Sequence, residues 1–161
     1  MPEDFGSRRD PERKLTRQEH EENWLRRKLE DFNKVLAIAE SPKNLIENER
    51  KNKEVEMHAV YISALTVVTS GDKFPSVTRE RKQSLIDRIA ESGDAHLSWA
   101  ALTCPSEYTK LGTRDLLVDN IVASGDTHFA LGAYRGGNGL NEQQIEKLKR
   151  LASKDRDWRE R

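Results

Sequence analysis

Two histidines, His96 and His128, stand 32 positions apart, and each follows an aspartate, Asp94 or Asp126, by two residues. Between them lies Cys104, the only cysteine of the chain. Imidazole, carboxylate and thiolate are the groups that ligate transition metals or support nucleophilic attack, so this set bounds the chemistry open to the chain. A metal-dependent hydrolase built on His96, His128 and Cys104 would need the two rings to converge. No CxxC, HxxxH or HExxH spacing accompanies them. A histidine in the first turn of a helix packs over the turn and bonds a backbone group, and Cys104-Pro105 at a helix end is an ordinary buried thiol position. Gly136-Gly137-Asn138-Gly139 resembles a phosphate loop only in glycine content. It lacks the Gly-Lys-Ser/Thr that opens the following helix, and no strand precedes it. The expectation is a protein that is not an enzyme, with no catalytic or metal-binding residue and no cofactor. The hydrolase ranks last among the alternatives.

The histidines belong to a longer pattern. Residues 85–102 and 117–134 are two copies of one unit, with Leu85/Leu117, Asp87/Asp119, Ile89/Ile121, two Ser-Gly-Asp triplets, His96/His128 and Ala101/Ala133 identical. A fixed period in this range marks stacked helical hairpins. Within each triplet, glycine accepts the left-handed conformation that ends a helix, and the aspartate then caps the next one. Three residues thus encode helix stop, turn and helix start. These Ser-Gly-Asp-x-His units resemble the short HEAT-like helical repeats of bacterial and phage proteins, over about residues 79–134. The resemblance implies antiparallel hairpins sharing an apolar face, and a scaffold that offers a surface.

The elements that must position these residues follow from periodicity. Residues 1–15 are charged, carry Pro2, Gly6 and Pro11, and read as a disordered leader. Thr16 and Glu19 have capping-box spacing, and Leu25, Leu29, Phe32, Leu36 and Ala39 fall on one face of a long helix that Pro42 should end near Glu40. Residues 43–53 form a short helix or an exposed connection. Residues 54–69 form the most buried helix, despite the strand propensity of Leu65–Thr69. Thr78 or Ser76 opens the first repeat unit (79–104), and Thr113 opens the second (113–135). Residues 134–139 make a flexible break. Asn141 and Gln144 cap a last helix, and residues 154–161 form a charged tail. The fold class is all-α, about six helices, with a HEAT-like centre and a long amphipathic N-terminal helix in a single domain spanning 16–153.

Composition narrows the partner. Lys and Arg number 28, and so do Asp and Glu, so no global field draws the chain to nucleic acid or an anionic membrane. No apolar run approaches a membrane span, and the N-terminus lacks a secretory h-region. With one cysteine, a reducing cytoplasmic setting is expected. Basic clusters at both ends (Arg8, Arg9, Arg13, Lys14; Lys147, Lys149, Arg150, Lys154) keep a nucleic-acid-associated protein as an alternative, although acidic residues are interleaved among them. The leading expectation is a protein-binding module, an adaptor, inhibitor or immunity-type protein of phage or bacterial kind. Its contact residues are His96, Tyr108, His128, Tyr134, Arg135 and Trp24, because tyrosine, tryptophan and arginine favour contacts. A homodimer through the N-terminal helix is a further expectation. Trp99 aligns with Leu131 and is expected in the core, whereas Trp158 has no evident core to enter.

Overall fold

A computed structural model describes residues 14–37 and 54–159. Among them are seven α-helices and no strand: α1 (Arg17–Ala37), α2 (Glu54–Thr69), α3 (Arg79–Ser92), α4 (Ala95–Leu102), α5 (Leu111–Ser124), α6 (Thr127–Gly136) and α7 (Glu142–Ala152). The all-α class is as expected, and the count among these residues is seven rather than about six. The expected leader, the end of the first helix near Glu40 and the segment 43–53 lie outside the described residues.

Helix boundaries follow the side chains that satisfy free amides and carbonyls. The Glu19 N–H donates to Thr16 Oγ1 (3.1 Å), and the Thr16 N–H donates to the Glu19 carboxylate (3.4 Å). Thr78, not Ser76, caps α3. The triplets act alike in both units. Gly93 (φ 73°) and Gly125 (φ 70°) occupy the left-handed region and close α3 and α5. Ser92 and Ser124 accept the amides of Asp94 and Asp126 at 3.0 and 3.1 Å. Asp94 caps α4 through the Leu97 N–H, and Asp126 caps α6 through the His128 and Phe129 N–H groups.

Two starts differ from expectation. Helix α5 begins at Leu111 with no side-chain cap. Thr113 lies inside it, where its hydroxyl donates to Asp87 on α3 (2.7 Å). The glycine segment after α6 is pinned rather than loose. The Asn138 N–H donates to Leu102 O (2.9 Å), and its side-chain amide reaches Thr103 O and Cys104 O. The Leu65–Thr69 stretch is helical, with Val67 and Val68 buried, since burial outweighs local strand preference.

The odd-numbered helices touch in order, α1 to α3 to α5 to α7, and the even-numbered helices do the same, α2 to α4 to α6. The core fills the space between. Phe32, Val35, Tyr61, Leu85, Ile86, Ile89, Leu97, Leu117, Ile121 and Leu148 are fully buried. Leu25, Leu29 and Leu36 pack against this core from α1, so the stripe expected to serve a homodimer docks within the chain. Equivalent positions tie successive odd helices together. Arg88 of α3 donates to Val35 O of α1, and Asn120 of α5, 32 positions later, donates to Ala90 O of α3, both at 2.8 Å.

Candidate functional site

Because Asp94 must turn its carboxylate to the first amides of α4, it stands where α4 meets α2. There its second oxygen meets the His58 ring at 2.8 Å. Burial pushes the Asp94 carboxyl up, but the hydrogen bonds from His58 and the Leu97 N–H, with the nearby His58 and His96 imidazoles, outweigh it. The group lies below its usual value. His58 was not singled out from sequence. It precedes the repeat units and belongs to no motif, and only the packing of α2 on α4 brings it to Asp94.

From this pair a row of rings crosses the three even helices. His58 stacks on His96 (centroids 5.0 Å apart, planes at 29°), and His96 stacks on Phe129 (5.2 Å, 2°). Trp99 lies beside both, 5.9 Å from His96 and 5.6 Å from Phe129. His128 meets Phe129 at 6.3 Å. Phe129 thus stands between the two repeat histidines. Ring nitrogens bind metals through lone pairs in the ring plane, and the near-parallel His58 and His96 cannot both aim at an ion between them. Among the described residues, no group of three histidine, cysteine or acidic side chains could hold a metal ion.

Trp99 is half-buried, not in the core as its alignment with Leu131 implies. It lies instead over Gly132, where a Cβ would sit 2.8 Å from Trp99 Nε1. On the α2 side, a shallow cleft of about 400 Å³ is lined by Lys28, His58, Ala59, Ile62, Ser63, Thr66 and His96. At its wall Lys28 donates to Ser63 Oγ (3.0 Å), and Ser63 donates to Asp31 (2.6 Å).

The remaining expected residues are scattered. His128 is exposed at the start of α6. Tyr108 sits in the connection after α4, with Lys82 Nζ 5.0 Å over its ring. Trp24 packs on Phe74 (6.1 Å), with Nζ of the cleft residue Lys28 5.9 Å over its ring. Tyr134 is only 4% exposed, its ring 5.1 Å from Trp158, so it belongs to the core and not to a surface. Trp158 therefore does find a core. Arg135 anchors the same tail by donating to Asp157 O (2.9 Å). Cys104 is buried, its thiol pushed up to about 12 by burial alone, and it offers no thiolate at neutral pH. Two other shallow grooves flank α7: one is lined by mixed charges that include Glu142, Glu146, Lys147 and Arg150, the other by Lys147, Arg150 and Lys154 with Val122 and Leu151.

No helix among the described residues is long and apolar enough to cross a membrane. Comparison with protein-family models, with curated proteins and with solved structures finds no match to the chain.

Proposed function

We propose that this chain is a non-enzymatic protein-binding module, a HEAT-like stack of helical hairpins that engages another protein through the outer face of α2, α4 and α6. The observation that carries this reading is the row of half-buried rings, His58, His96, Trp99 and Phe129, continuous across three helices and flanked by the α2 cleft. Large rings that are neither fully buried nor isolated are the side chains that dominate protein contacts. The stacked-hairpin part of the reading draws support from the matched turns and from the matched Arg88 and Asn120 bonds to the preceding odd helix. In such a stack, corresponding positions line one face.

An adaptor or inhibitor role fits this face, where among the described residues no group of three histidine, cysteine or acidic side chains could hold a metal ion. The nucleic-acid alternative is weaker, since Lys147 pairs with Asp119 (3.1 Å) and Arg150 with Glu146 (3.6 Å), which lowers the charge free to meet phosphates. The test is capture from the native host with wild type and with Thr66→Lys, which places a charge on the α2 part of the face. A partner retained by wild type and lost from a variant of unchanged melting temperature is the expected result. Equal retention by both would move the binding site off this face.

A further inference from the structure

In a chain where 35% of residues are charged, the distribution of charge between the two sets of helices is lopsided. Ten of twenty-one residues in α1 and seven of fourteen in α3 are Asp, Glu, Lys or Arg. By contrast, α2 from Met57 to Thr69, all of α4, and α6 from Thr127 to Tyr134 contain none. Core packing accounts for the inner positions of these helices. It does not account for the outer ones, where Ala59 and His128 are exposed and Ile62, Thr66, Trp99 and Phe129 are half-exposed. A solvated helix face ordinarily carries charge; this one carries rings, methyls and hydroxyls, and the charges at its α1 edge, Lys28 and Asp31, are joined through Ser63.

We propose that the occupant of this face is a second copy of the same chain, in a two-fold dimer that sets α4 against α4 and α2 against α6. The inference rests on the binding role proposed above and names its partner. Burying a charge against an uncharged surface costs free energy that no partner charge offsets. An uncharged face therefore selects an uncharged face, and the chain contains one. A two-fold interface must be self-complementary, and a surface without charge meets its own copy without repulsion. Zero net charge removes the long-range obstacle as well. The chain's other segments do not match. Residues 1–13 hold seven charged residues, and residues 38–53 hold seven in sixteen.

Area sets the expected strength. The uncharged stretches of 13, 8 and 8 residues, about 1.5 Å per residue and about 9 Å apart, give a footprint of roughly 400 Å² before side-chain relief. That is at the small end against about 800 Å² per partner in a standard interface, so the dimer is weak.

Sedimentation equilibrium of the full chain, from about 10 μM to about 1 mM, reads the association directly. The expected result is a reversible monomer–dimer equilibrium whose constant is the same at about 50 mM and about 500 mM salt, because no charge pair is screened. Phe129→Asp should weaken association by about 30-fold or more. Should that variant fail to fold, Ile62→Lys on α2 tests the same face. A mass of 18.5 kDa at every concentration overturns the dimer. So does a dimer that salt dissociates, or one that folded variants leave intact. A monomeric wild type leaves the capture comparison standing as the separate test of the binding role.

Discussion

At Gly132 a single added carbon should matter more than at any exposed helix position. Its Cβ would fall within 2.9 Å of two atoms of the Trp99 indole. Gly132→Ala should therefore destabilise by about 1–3 kcal/mol through overpacking, although alanine is the better helix former. In the Trp99→Leu background the cost should vanish, and a double-mutant cycle by urea denaturation measures that coupling. Asp94 and Asp126 offer a second comparison. Both cap a helix, but only Asp94 also holds His58. Asp126→Ala should cost about 1 kcal/mol, and Asp94→Ala about 2 kcal/mol. Because the folded-state Asp94 carboxyl lies below its unfolded value, its contribution is present above that value and is lost as pH falls through the folded one. The gap between wild type and Asp94→Ala should accordingly be full at neutral pH and shrink below about pH 4, in urea midpoints taken across that range.

Among elements, the two turns are the closest to a controlled pair. Gly93 and Gly125 have nearly equal φ, and nothing lies within 4 Å of an added Cβ at either. The cost of Gly→Ala is thus backbone strain alone, about 1 kcal/mol at each site by thermal unfolding, and the two costs should add. These turns were legible from sequence because each of the three residues acts on its own neighbours: serine on the preceding turn, glycine on its own φ, aspartate on the next amides. The start of α5 was not legible. Thr113 has the chemistry of a cap, but its hydroxyl answers Asp87 on another helix, and no local signal announces that partner. The same reason hid His58, whose role exists only where α2 crosses α4.

For the whole molecule, α1 provides the test of cooperativity. Phe32 is fully buried between α1 and the rest of the core. Phe32→Ala should cost about 3–5 kcal/mol. Cys104, buried just after α4 where Asn138 bonds its carbonyl, gives a reading from the later helices. Its thiol should resist an aromatic disulfide reagent in the native state and react once the protein is unfolded. If the helices unfold as one unit, Phe32→Ala should accelerate native-state labelling of Cys104 by the factor its stability loss implies. Labelling unchanged by that variant would show that α1 and α2 open separately from the later helices.

Sequence by itself determined the all-α class, the internal similarity of residues 85–102 and 117–134, both capping boxes and the stop–turn–start at the two triplets these segments share. These depend on contacts three or four residues apart, and such contacts are written in spacing. Tertiary structure decided which side chains share a surface. Tyr134 went into the core with Trp158, Trp99 came out of it over Gly132, and Phe129 stood between the repeat histidines. Those outcomes turn on the volume left where helices meet, which depends on residues about 30 positions apart and has no periodic trace along the chain.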